Sequence, residues 1–497
     1  MQKSFLSEAS TWSLAVIVAG IAILCGLLYH LAHLLFYHPL RSYPGPKLWA
    51  ISRLPWHYYN IRGNLARKIL DLHETYGPTV RIAPDELSYT SSQAWKKIYG
   101  QPKPEFMKCI DGRGIAPVIK QAHLRGIIAA EPEKHRRLRR AIAPAFSDRA
   151  LSEQEVYLQD HSDNLVNHLR KACNDGAVDI VKWLSLATFD IMSDLAFGKP
   201  EGCLNNADQP WLSVLGARSK TIRWHQLTIY YGLDGLVNRF APKSFTKSRQ
   251  DHMRLTAAKV QQRTKSGAER KDFMSYILQN TTEPLSNAEL TIMASAFIVA
   301  GSGTSARALS ATVYYLCANS DVLSKITSEI RSAFDDQKAI TIRSTARLPY
   351  LQACIDEAMR LHPPNPSTIP RWVPEHGEEI EGKWVPSGIA VGCHPLASGH
   401  AEWNFERPKE YIPGRWLDDN LKTEFAGDDK SSVQPFSFGP RSCIGRSLAY
   451  AEMRLILAKL LFVYDLQMDD LELNWTERQK SYLTWEQIPL MIRLSPR

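Results

Sequence analysis

The stretch Phe436-Ser437-Phe438-Gly439-Pro440-Arg441-Ser442-Cys443-Ile444-Gly445 constrains this chain more than any other, because it sets one cysteine on a loop bracketed by two glycines. Gly439 and Gly445 let the backbone turn and approach a flat partner where a side chain would collide. Arg441, two residues before the cysteine, supplies a positive charge that pairs with an anion and favours a thiolate. A thiolate presented this way is a metal ligand or a nucleophile, and no local signature of a cysteine protease surrounds Cys443. An inert buried cysteine would need none of its four fixed neighbours.

The spacing Phe-x-x-Gly-x-Arg-x-Cys-x-Gly resembles the haem-binding loop of the cytochromes P450, where the cysteine is the axial ligand whose electron density favours O–O cleavage. The resemblance implies haem b as cofactor and Cys443 as iron ligand, with Phe436, Gly439, Arg441 and Gly445 around it. It also implies a mainly α fold with small β-sheets, in which one long helix crosses the core over the haem.

Composition removes rival classes. With 44% apolar and 22% charged residues, the 497-residue chain has ample material for a core and lacks the signature of disorder. A net charge of +9, spread along the chain, points to an acidic partner or an anionic membrane surface, and nothing else suggests nucleic acid. The eight cysteines are scattered with no Cys-x-x-Cys pair, which excludes zinc ribbons and thioredoxin-like sites and leaves free thiols as the expectation.

Trp12 to Tyr37 is apolar apart from small residues, His30 and His33, and Leu14 to Leu28 carries no charge, so residues 1–37 are expected to hold a membrane-spanning anchor. A cleaved signal peptide would have a shorter apolar core preceded by positive charge, whereas only Lys3 precedes this one and Glu8 offsets it. Arg41, Lys47, Arg53, Arg62, Arg67 and Lys68 follow, and the positive-inside rule then places the rest in the cytosol. His38-Pro39-Leu40 and Tyr43-Pro44-Gly45-Pro46 end the helix and make residues 38–47 a stiff hinge. Residues 48–497 are expected to form a single catalytic domain, and the resemblance to microsomal members implies a single-pass protein of the endoplasmic reticulum membrane. Thr79 to Ala83 and Glu86 to Tyr89 alternate like strands, while Glu153 to Ala172, Lys182 to Phe197 and Ser248 to Lys265 have helical periodicity. The coarse pattern is a helical body with a small sheet near each end of the chain.

His135-Arg136-Arg137-Leu138-Arg139-Arg140 is a basic run in a helical stretch, where His135 and Arg139 share a face and point at one anion. The family's propionate-binding helix carries this spacing, so the resemblance assigns His135 and Arg139 to the haem propionates. Arg136, Arg137 and Arg140 then present charge to an acidic reductase.

Ser286-Asn287-Ala288-Glu289 reads as a capping box opening a helix to about Asn319, whose middle, Ile292 to Ala300, is apolar on every face. Gly301-Ser302-Gly303-Thr304-Ser305-Ala306 also fits a dinucleotide fingerprint, but that motif needs a strand before the glycines, and the capping box starts a helix there. In the family's distal motif Ala300 and Gly301 give oxygen room and Thr304 supplies the catalytic hydroxyl. The acid that usually precedes this threonine is replaced by Gly303, with Arg307 one turn later, so proton delivery is expected to pass through water in the space at Gly303.

Glu357-Ala358-Met359-Arg360 matches the family's Glu-x-x-Arg helix, and Pro413-Gly414-Arg415-Trp416 supplies the arginine that completes a structural triad. Arg371 stands where another propionate ligand is common. Leu483 to Leu494 alternates as a final hairpin whose turn is expected to line the substrate pocket, together with Lys103 to Arg125 and Trp211 to Phe240, including Trp224, Tyr230 and Tyr231. The whole resembles a fungal secondary-metabolism monooxygenase that takes electrons from NADPH-cytochrome P450 reductase and oxidises an apolar terpenoid or polyketide intermediate. The alternative, favoured by Gly303, is a membrane-tethered haem protein of this fold with altered or no oxygen-activating chemistry.

Overall fold

The computed structural model describes residues 2–101, 105–113, 125–206, 223–233, 235, 243–266, 270–279, 284–417, 424–470 and 472–497, with side chains from Leu14 onward except over 243–250. Its axis is set by the capping box. Ser286 Oγ accepts from Glu289 N (3.3 Å), Glu289 Oε2 accepts from Ser286 N (3.0 Å), and a 32-residue helix runs from Asn287 to Ala318 without a break at Gly301 or Gly303. No strand leads into these glycines, so the dinucleotide fingerprint is a coincidence of composition.

The main core is built around this central helix. Ile180–Phe197 packs along it, and Asp148–Ala172, Pro349–Leu361 and Arg446–Val463 complete the bundle. The first pair meets closely at Gly301, where a Cβ would fall against the flexible end of Met192. Gly301 therefore makes room for the side chain of Met192.

A five-stranded sheet runs in the order Thr79–Ala83, Glu86–Tyr89, Ala390–Cys393, Arg371–Trp372, Met107–Lys108, so it joins both halves of the chain. The expected closing hairpin is divided between two sheets. Ser481–Tyr482 turns through Leu483 onto Thr484–Trp485, whereas Met491–Pro496 pairs with Tyr464–Met468 and Val178–Asp179.

The N-terminal helix Gln2–Ala32 continues through a π-turn, His33–Tyr37. Leu14–Tyr37 has a mean hydropathy of 2.4 and is mostly exposed, with only Leu34 buried, and its 24 residues reach about 36 Å against the ~30 Å of a bilayer's hydrocarbon. The central helix is also apolar enough by composition, but half of it is buried in protein. Two of the six cations after the anchor turn inward: Arg53 pairs with Glu86 (2.5 Å) and Asp85 (3.1 Å), and Arg67 donates to Thr476 O and Gln479 O. The hinge is tied down by Arg81, whose guanidinium donates to Leu34 O (3.2 Å) and Pro84 O (2.7 Å) and meets His38 Nδ1 (3.2 Å).

Candidate active site

The cysteine loop is shaped by its own backbone. Cys443 N donates to Phe436 O at 2.8 Å, and Ser437 and Gly439 take positive φ. Gly439 (φ +73°) is required twice over, since a Cβ there would lie 2.1 Å from Tyr99 O. Gly445 has an ordinary φ of −86°, and a Cβ there would meet nothing nearer than Phe146 at 3.8 Å and Cys443 Sγ at 4.0 Å. Its missing side chain keeps one side of the thiol open to a flat group. Phe436 rests on Tyr450, ring centroids 5.0 Å apart.

Cys443 is exposed, although protein crowds its thiol on most sides. Burial pushes the thiol up, against the pull of the Gly445 N–H, Arg139 and Arg446. Arg441 is not among the charges acting on it, contrary to the role read from sequence spacing. A thiol raised in this way is a poor free nucleophile, whereas a metal deprotonates its thiol ligand outright.

Arg441 belongs to a different group. His135, Arg139, Arg371 and Arg441 converge, joined by Lys108, which no sequence motif marks. Lys108 arrives because its strand pairs Lys108 with Arg371. Among the described residues only Glu105 pairs directly with this cluster, through Arg441. Arg441 Nη2 and Arg371 Nε are buried with no hydrogen-bond partner. Arg441 also donates to Ala130 O (2.7 Å), Arg371 to Phe106 O (3.3 Å), and Arg139 to Ser442 O (2.7 Å). Burial first, then the surrounding cations, lowers His135 to about 3, so its ring is neutral at physiological pH. In the same helix Arg136 and Arg140 are exposed as expected, but Arg137 is engaged by Glu289 of the capping box.

On the central helix Ala300 and Val299 are exposed, the latter by 47%, in the middle of an element otherwise packed in the core. Thr304 Oγ1 donates to Ala300 O at 2.6 Å. The space at Gly303 is taken by Arg307, which donates to Gly303 O and Trp485 O, both at 2.6 Å, so a guanidinium stands where water was expected. Farther out, Glu357 bonds Arg360 (2.7 and 2.8 Å), Arg415 (3.0 Å) and Trp416 (2.8 Å), all but the last fully buried, which forms the triad.

A sequence profile described as Cytochrome P450 matches residues 43–493. The chain belongs to the cytochrome P450 family. It is 52% identical to cytochrome P450 monooxygenase alt3 of Alternaria solani (97% of this chain, 94% of that one) and 48% identical to alt1 of the same fungus (100% and 97%). It is 42% identical to averantin hydroxylase of Dothistroma septosporum (99% and 94%). This P450 is thus a monooxygenase that uses haem b, related to enzymes of fungal secondary metabolism. Its residues fit that group: unpartnered donors of a cation cluster suit two propionates, and the bare Gly445 suits a flat ring beside Cys443.

Among the expected pocket residues, Trp224 is 56% exposed at the surface and Tyr230 stacks under Arg53 and Arg113. Residues 103–104, 114–124, 211–222, 234 and 236–240 of those segments lie outside the described residues.

Proposed function

We propose that Cys443 ligates the haem iron, that Arg441, Arg371, Arg139 and His135 hold the propionates with Lys108, and that the protein hydroxylates or epoxidises a small, largely apolar molecule. Convergence of five cationic or imidazole side chains beside the cysteine loop, of which only Arg441 pairs directly with a carboxylate among the described residues, carries this reading. Phe436, Gly439 and Gly445 shape the seat, Ala300 and Gly301 keep the opposite helix low, and the Thr304 hydroxyl orients proton delivery. Bound haem supplies the oxygen activation, placing one atom of O2 in the substrate and one in water. The chain's own residues position, exclude solvent and hold charge.

Electrons come from NADPH-cytochrome P450 reductase. A hollow of about 450 Å³ behind the cysteine loop, lined by Lys430, Arg446, Gln434 and Phe438, supports docking of an acidic partner there. Residues 1–37 anchor the protein in the endoplasmic reticulum membrane, 38–47 connect, and 48–497 form the catalytic domain in the cytosol. The apolar Val299 and Ala300 surface supports a terpenoid or polyketide intermediate as substrate. The reduced, CO-treated protein is expected to show the Soret band of a thiolate-ligated haem and Cys443→Ala to lose it. A variant that keeps the band would sink the assignment.

A further inference from the structure

A cavity of about 30 Å³ lies among Trp56 and Asn60, the loop through Thr368, the hairpin residue Leu483, Arg113 and Arg223. Two ties connect it to the active site. Leu483 belongs to the hairpin whose Trp485 O receives Arg307, the residue covering Gly303. On the other wall, Pro370 immediately precedes Arg371 of the cation cluster.

The charges around the cavity are unevenly matched. Arg53 is balanced by Glu86 and Asp85, and Arg113 by Asp85 and Asp111. Arg223 has no carboxylate among the described residues. It is 8% exposed, its hydrogen bond goes to the neutral Gln226 Oε1 (2.8 Å), and its Nε is buried without a partner. Burial with nothing to offset it lowers the guanidinium to about 10, which leaves it a cation at neutral pH. An uncompensated buried charge is costly and is retained where something else supplies its counter-ion. The cavity has room for about two water-sized groups, the size of a carboxylate's two oxygens.

We propose that Arg223 anchors the carboxylate of an otherwise apolar substrate, with the anionic head in this cavity and the hydrocarbon body extending to the exposed Val299 and Ala300 face. A guanidinium fork binds a carboxylate through two parallel hydrogen bonds, so the anchor fixes orientation as well as affinity. Oxidation then falls at a carbon remote from the acid. This inference rests on the monooxygenase reading above and narrows its substrate to amphipathic acids.

The test titrates the full-length holoenzyme with matched acid and methyl-ester pairs: dodecanoate, hexadecanoate and 4-phenylbenzoate. Binding is read from the Soret shift and from tryptophan fluorescence, since Trp56 lines the cavity. Wild type is expected to bind at least one acid about 10- to 100-fold more tightly than its ester, the range for a hydrogen bond to a charged group. Arg223→Met should abolish that preference by weakening the acid alone, and Arg223→Lys should keep part of it. The proposal is overturned if no acid outbinds its ester in wild type, or if Arg223→Met retains the preference. Should Arg223→Met fail to fold, the wild-type ratio and Arg223→Lys decide. The reduced CO spectrum of the same samples separates the two readings: an intact thiolate band without acid preference overturns this proposal alone, and a missing band overturns the haem-thiolate assignment.

Discussion

Gly303→Glu puts a carboxylate one helical turn before Arg307. A Cβ at Gly303 would stand 2.6 Å from Arg307 Nη1, but that atom is the far end of a flexible side chain and can swing towards the new group. Helix propensity favours glutamate over glycine by about 0.5 kcal/mol. A hydrogen bond to a charged partner is worth about 1.5–3 kcal/mol, and giving up the bond from Nη1 to Gly303 O costs about 1. The acid precedes the base in the favourable i, i+4 order. The pair should exceed an exposed one, because burial has already lowered Arg307 to about 10 without a carboxylate to offset it. The net is about 1–2.5 kcal/mol, a rise in melting temperature of about 1–3 °C for a chain of this size. Gly303→Gln is the control, matched in size and propensity without charge. Thermal unfolding of the holoproteins should place the glutamate variant above the glutamine variant, and the gap should vanish in an Arg307→Gln background. Equal midpoints for the two would show that the guanidinium does not turn, and the argument for a pairable Arg307 would fail.

Lys108→Met should speed haem transfer to apomyoglobin several-fold by removing one cation of the cluster; an unchanged rate would place Lys108 outside the haem site. Glu452 is 1% exposed, with Oε1 unpartnered, and burial raises its carboxyl from 4.5 to about 8 despite the Ser305 hydroxyl. The folded state therefore keeps a proton that the unfolded chain releases, and stability should fall by up to about 1.4 kcal/mol per pH unit from 4.5 to 8. Glu452→Gln should flatten that slope in denaturation midpoints taken from pH 5 to 8.5, and parallel slopes would refute the assignment. Thr304→Ala should divert reductant from product to peroxide, since such proton assistance is worth about 10²–10⁴-fold; unchanged product per NADPH would count against Thr304.

What the sequence disclosed was whatever is encoded within a few residues. The cysteine loop, the capping box at Ser286 and the Glu357 helix are local patterns, each readable because its chemistry fixes its spacing. Lys108 was hidden because a strand pairing, not a motif, brings it to Arg371. Gly301 and Gly303 looked alike on paper, yet one faces Met192 and the other Arg307, a distinction of side-chain packing between helices. The cations after the N-terminal helix read as a surface charge bias, but Arg53 is itself buried and pairs with Asp85 and Glu86, more than thirty residues away. Arg223 stands in a segment without motif, and only its surroundings reveal that its charge is unmatched.

Arg81 belongs to the first sheet but holds Leu34 O and His38, at the end of the anchor. A tether of prolines alone would let the catalytic body swivel over a bilayer. Two polar contacts from one buried guanidinium restrict that freedom, so the angle between the helix and the sheet becomes a property of the fold. Were that helix to span a bilayer, the same edge of the protein would always meet the lipid. Encounters with any membrane-bound partner would then be reduced from a search over all orientations to a search over rotation about a single axis.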